Sequence, residues 1–128
     1  MLRSTLTLAL VLAVGCGTKK EEHQAPPASP ANPAAEQEAQ SVFHNLCITC
    51  HGESGKGDGI AAANLDPKPR NYTDKAWQAS VTDDQIRQII LNGGASVGKS
   101  PVMPASPQLK DKPEVVDALV KIVRSFGA

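Results

Sequence analysis

The chain has little from which to build a large core. Only 3% of its 128 residues are aromatic: Phe43, Tyr72, Trp77 and Phe126. A domain so lean in large side chains is filled either by Ala, Val, Leu and Ile alone or by a bulky group that is not polypeptide. No apolar run reaches the roughly 20 residues that span a bilayer as a helix. Charge of one sign is lacking too, because 13 Lys and Arg face 13 Asp and Glu. That balance argues against a basic groove for nucleic acid and against attraction to an anionic membrane surface. With three cysteines in all there is no disulfide framework. The glycine-dense stretch Gly52 to Gly59 lacks the Gly-Lys-Ser/Thr order of a phosphate loop and the acidic spacing of a calcium loop.

Against these absences stands one dense motif, Cys47-Ile48-Thr49-Cys50-His51. Two thiols three positions apart on a helical turn can each add to one vinyl group of a porphyrin. The imidazole next to the second thiol then reaches the iron from the same side, which makes this the attachment signal for a c-type haem. Two rivals share part of the pattern. A thioredoxin-like dithiol sits where a strand meets a helix, and nothing before Cys47 reads as a strand. A structural zinc ion needs four ligands in a tetrahedron, and His44, Cys47, Cys50 and His51 all lie on one short stretch.

The start of the chain reads as a targeting segment. Arg3 supplies a positive end and Leu6 to Val14 an apolar stretch of the length of a secretory leader. Residues 1–15 are therefore assigned to a signal peptide. Ala13-Val14-Gly15-Cys16 resembles the lipobox of bacterial lipoproteins, in which the cysteine carries the lipid; the alternatives are ordinary cleavage after small residues and a free Cys16. Residues 16–33 are rich in Pro, Ala, Glu, Gln and Lys and form a flexible linker. Its reach is roughly 20 Å as a coil and about 50 Å fully extended. Residues 34–128 remain, enough for one small domain.

Within that domain three main helices are legible. Asn32 and Pro33 suit the cap and first position of a helix whose apolar face is Ala39, Val42, Phe43 and Leu46. Thr82 with Gln85 forms a capping box for a second helix with Ile86, Ile89 and Ile90 inward, ending at Gly93-Gly94. A third takes Asp111 and Glu114 as its capping pair, carries Val115, Val116, Leu119, Ile122, Val123 and Phe126, and should cross the first near Phe43 and Leu46. A short helix is expected at Ile60 to Asn64. Between them, Leu65 to Tyr72 must turn or extend, because prolines push their predecessors out of the helical region. His44 lies seven residues before His51 and is placed on the surface or behind the site.

Met103 is the sole methionine beyond the leader. It stands between Pro101 and Pro104 on a loop, away from any apolar helix stripe, where a gap-filling methionine would ordinarily sit. Its thioether is a soft ligand suited to ferrous iron. Arg70, Tyr72 and Trp77 offer charge and hydrogen bonds to haem propionates, or else ordinary surface and packing roles.

Taken together, Cys47 to Gly52, Gly55 to Gly59, Leu65 to Tyr72, Asn92-Gly93-Gly94 and Ser100 to Pro104 resemble a small class I cytochrome c, of the kind also found as haem subunits of bacterial terminal oxidases. A departure is Ile122, where many members carry an aromatic. The resemblance implies an all-α class I fold, three main helices plus short helices around one haem c bound at Cys47 and Cys50. It implies His51 and Met103 as axial ligands, with the carbonyl of Pro67 or Pro69 accepting from the other nitrogen of His51. It further implies an electron carrier and not an enzyme, expected as a monomer; with the leader and the lipobox-like Cys16, the domain is expected to be exported, lipid-anchored through Cys16 and facing the periplasm or cell exterior. Such a carrier would pass electrons from a quinol-oxidising complex to a terminal oxidase or reductase. Two other functions stay open: a haem subunit fixed in a respiratory complex, and a gas-sensing or peroxide-reducing protein in which Met103 leaves the iron.

Overall fold

The computed structural model describes residues 32–128; the leader, Cys16 and most of the linker lie outside them. Helix α1 spans Pro33–Val42. The Asn32 carboxamide oxygen accepts from the amides of Ala34 and Ala35 at 3.1 and 3.4 Å, and Pro33 occupies the first helical position. The helix then widens into a π turn over Phe43–Cys47 before closing as α2, Ile48–His51. Gly52, with φ +75, ends it in a conformation that other residues rarely adopt.

The π turn corrects one sequence expectation. It widens the helix locally and breaks the three-and-four spacing of the apolar stripe. Phe43 stays in the core at 6% exposure, whereas Leu46 turns outward at 56%. Leu46 therefore does not join the crossing with the last helix.

Beyond the glycine loop, Ile60–Asn64 forms a 3-10 helix. The Lys68 ammonium closes its end by donating to the carbonyls of Ala62 and Ala63 at 2.8 and 2.9 Å. Helix α3, Lys75–Ser80, is an addition to the three main helices; Asp74 caps it by accepting from the amides of Ala76 and Trp77. Helix α4, Asp83–Asn92, has the complete Thr82 and Gln85 capping box and ends at Gly93 with φ +77. Short 3-10 turns follow at Gly94–Val97 and Pro107–Leu109, and α5 spans Pro113–Ser125.

Asp111 does not cap α5. Pro113 takes the first helical position, which makes Lys112 the cap residue, and no side chain bonds there. Glu114 instead accepts from the Asn32 carboxamide, tying the start of α5 to the start of α1.

The core lies where α1 crosses α5. Ala35 and Ala39 let the two helices approach closely, and Phe43, Val115, Val116, Leu119 and Val123 fill the seam, all nearly buried. Each larger side chain contributes roughly 1.5–3 kcal/mol by leaving water. Phe126 supplies the aromatic that Ile122 does not, packing its ring 5.6 Å from that of Phe43. Helix α4 joins through buried Ile86 and through Arg87, which donates to Asp117 at 2.7 Å and to Asp84 at 2.8 Å. Ile89 and Ile90 are half-buried. Arg124 stitches the α3–α4 corner to α5, donating to Asp83 and to the carbonyls of Gln78 and Val81 at 2.7–2.8 Å. Among the described residues every regular element is helical.

Candidate haem site

The motif residues sit on the π turn and α2, on one continuous helical path. Cys47 and Cys50 are one turn apart, both half-buried and both free thiols. Burial, with Cys50 alongside, pushes the Cys47 thiol up to about 11, so at neutral pH it is uncharged. No disulfide joins the two. Among the described residues, no group of three or more His, Cys, Asp or Glu side chains is placed to hold a metal ion. His44 is exposed, as expected.

His51 is 7% exposed. Its Nδ1 lies 3.1 Å from the carbonyl oxygen of Arg70. A carbonyl can only accept, so Nδ1 carries the proton. Burial lowers the pKa of the imidazole, and the Arg70 carbonyl opposes this by favouring the charged form. The result is a neutral ring with a protonated Nδ1 and a bare Nε2, the state in which histidine offers a lone pair to a metal.

The acceptor corrects the expectation of Pro67 or Pro69. The glycine loop sets the register: Gly57 donates to the His51 carbonyl at 2.8 Å, and Gly55 accepts from the Tyr72 amide at 2.6 Å. The Pro69 carbonyl faces Gly57, only 2.4 Å from where a Cβ would stand. The next carbonyl along, that of Arg70, is the one presented to the imidazole. Gly59 lies equally close to α2, since a Cβ there would meet the carbonyls of Ile48 and Thr49 at 2.3 and 2.4 Å.

Arg70, Tyr72 and Trp77 are gathered together. The Arg70 guanidinium stands 5.7 Å over the Trp77 ring and 3.7 Å from the Asp74 carboxylate. Trp77 stacks on Tyr72 with ring centroids 5.7 Å apart, and Tyr72 stacks on His51 at 4.5 Å. Tyr72 is buried, and its hydroxyl is pushed far above the usual phenol range by that burial and by nearby Cys47 and Cys50. Sequence reasoning missed Gln78, whose carboxamide donates to the carbonyls of Tyr72 and Val123 at 2.8 and 2.9 Å. A polar residue on a short helix gives no signal of such a role.

Met103 is half-buried on its proline-bounded loop. The loop lies on the glycine pair that ends α4. Gly94 donates to the Met103 carbonyl at 3.0 Å, and a Cβ on Gly94 would stand 2.2 Å from the Ser100 carbonyl. A Cβ on Gly93 would meet the Met103 carbonyl at 2.9 Å.

The residues fit a covalently held haem. Two free thiols flank a neutral imidazole whose Nδ1 is tied to protein, while its Nε2 makes no hydrogen bond among the described residues. Large apolar side chains adjoin the motif and the methionine, Leu46 at 56% and Val102 at 54% exposure, as a domain does that shares its apolar surface with a flat cofactor.

An all-helical domain with this attachment turn is a class I c-type cytochrome. The family model for cytochrome c matches residues 36–125, and the chain belongs to the cytochrome c family, whose members bind haem c covalently and transfer electrons through it. The chain is 34% identical over 101 residues to the cbb3-type cytochrome c oxidase subunit FixP of Azorhizobium caulinodans, covering 78% of this chain and 30% of that protein. It is 31% identical over 88 residues to FixP of Bradyrhizobium diazoefficiens, covering 69% of this chain and 26% of that one. The chain thus spans less than a third of the length of these relatives.

Proposed function

We propose that this protein is a membrane-tethered electron carrier of a respiratory chain, with His51 and Met103 as the axial ligands of its haem. The observation that carries the reading is the state of His51: buried, neutral, tied at Nδ1 to the Arg70 carbonyl and bare at Nε2. When bound, haem c supplies a one-electron ferric and ferrous couple. Cys47 and Cys50 hold the porphyrin as thioethers, and His51 keeps one orientation because the Arg70 carbonyl restrains its ring. Met103 would supply a soft thioether, which favours the ferrous state. Arg70, Tyr72 and Trp77 are the candidates for contact with the propionates.

The tether is lipid on Cys16, at the exported face of a bacterial membrane, with residues 16–33 as the leash. Among the described residues no helix is long and apolar enough to cross a membrane; the anchor in this proposal is the lipid on Cys16. Intact mass of membrane-extracted protein should show a mature chain beginning at an acylated Cys16, and Cys16→Ser should release a haem-loaded domain. A chain that starts elsewhere or lacks acyl groups removes the tether from the proposal.

A second reading is a haem subunit fixed in a terminal oxidase, favoured by the fact that both FixP relatives are oxidase subunits. Mild detergent extraction separates the two. A carrier leaves the membrane as a monomer, whereas a fixed subunit co-purifies with oxidase.

A further inference from the structure

The aromatic at position 72 is held with more precision than a propionate contact needs. Its amide donates to Gly55 at 2.6 Å and its carbonyl accepts from Gln78 at 2.8 Å. Its ring centroid lies 5.7 Å from that of Trp77 and 6.1 Å from that of Phe126. The ring in turn lies nearly parallel to that of His51, 14° between planes and 4.5 Å between centroids. Gln78 is itself fixed, accepting from Arg124 at 3.0 Å.

The Arg70 carbonyl and the Tyr72 ring restrain His51 in different ways. A single hydrogen bond at Nδ1 still leaves the imidazole free to rock about the N–H···O direction. A flat ring packed on its face blocks that rocking, since stacked aromatic rings hold a preferred mutual geometry. Both restraints come from one tripeptide, Arg70-Asn71-Tyr72, so a single backbone segment sets the tilt and the rotation of the ring.

We infer that Tyr72 is a positioning residue for the proximal ligand: its ring face, and not its hydroxyl, fixes the plane of the His51 imidazole and so tunes the iron. This rests on His51 being the iron ligand. The orientation of an axial imidazole governs its overlap with iron orbitals, and groups that orient a metal ligand tune the metal. Trp77 and Phe126 serve as the backing that keeps Tyr72 against the ring.

The experiment uses the haem-loaded protein. In the ferrous wild type, nuclear magnetic resonance should show cross-relaxation between the ring protons of Tyr72 and those of His51. Its absence overturns the inference, however the variants fold. Tyr72→Phe keeps the ring and should leave the hyperfine-shifted His51 resonances of the ferric state in place, even where loss of the hydroxyl moves the ferrous-to-ferric ratio at a fixed ambient potential. Tyr72→Leu removes the ring and should displace those His51 resonances, with a change in the ferrous-to-ferric ratio beyond that of Tyr72→Phe. Equal shifts in both variants would assign the effect to the hydroxyl and overturn the inference, as would a folded, haem-loaded Tyr72→Leu with no shift. If wild-type His51 resonances show no iron-induced shift at all, it is the ligand assignment that fails, a result distinct from either.

Discussion

Replacing Gly57 by Ala should damage the site through the backbone alone. Gly57 has φ +75 and lies against the Pro69 carbonyl, 2.4 Å from the place of a new Cβ. Two costs add. A residue with a Cβ in the left-handed region costs about 1–2 kcal/mol, offset by about 0.4–1 kcal/mol because Ala has less freedom than Gly to lose on folding. The methyl must also push the Pro69 carbonyl away, an overpacking cost of about 1–3 kcal/mol. Gly98 is the internal control, since it has φ +69 with nothing within 4 Å of where its methyl would stand. Gly98→Ala should therefore lose about 1 kcal/mol and Gly57→Ala about 2–4 kcal/mol. Denaturant unfolding of the two haem-loaded variants, followed by far-ultraviolet circular dichroism, reads the difference as separate midpoints. Equal destabilisation would refute the claim that the glycine loop is pressed against the segment that carries the Arg70 carbonyl.

Three further perturbations test neighbouring parts. Gly94→Ala forces the Ser100 carbonyl off a 2.2 Å contact and should displace the Met103 loop; weakening of the long-wavelength thioether-to-iron band, with the fold kept by circular dichroism, checks it. Asn32→Ala removes the cap of α1 and its bond to Glu114, and should lower stability by about 1 kcal/mol in the same unfolding assay. Arg124→Met strips the carbonyls of Gln78 and Val81 of their donor and should cost about 1–3 kcal/mol, with a change in Trp77 fluorescence as the α3 corner loosens.

Much of the fold was legible because its signals are local. Asn32 with Pro33, and Thr82 with Gln85, announce helix starts through groups close together in the chain, and both form as expected. The Cys47, Cys50 and His51 motif is legible for the same reason, its residues standing within five positions of one another. The failures are tertiary. Asp111 and Glu114 have the pattern of a cap, but Pro113 fixes the cap at Lys112 and Glu114 is claimed by Asn32, 82 positions away. Leu46 fits the apolar stripe until a π turn rotates it outward. The Arg70 carbonyl could not be found from side-chain identity, because every residue carries one and only the register set by Gly55 and Gly57 selects it.

The central claim is that this domain holds a six-coordinate haem c between His51 and Met103, and Met103→Ala tests it most directly. The spectrum and midpoint potential of the variant should be recorded beside the parent, with carbon monoxide added to the ferrous state. The account predicts loss of the long-wavelength thioether band, a lower potential and binding of carbon monoxide at the vacated face. An unchanged spectrum and potential would contradict it and assign the distal position to another residue.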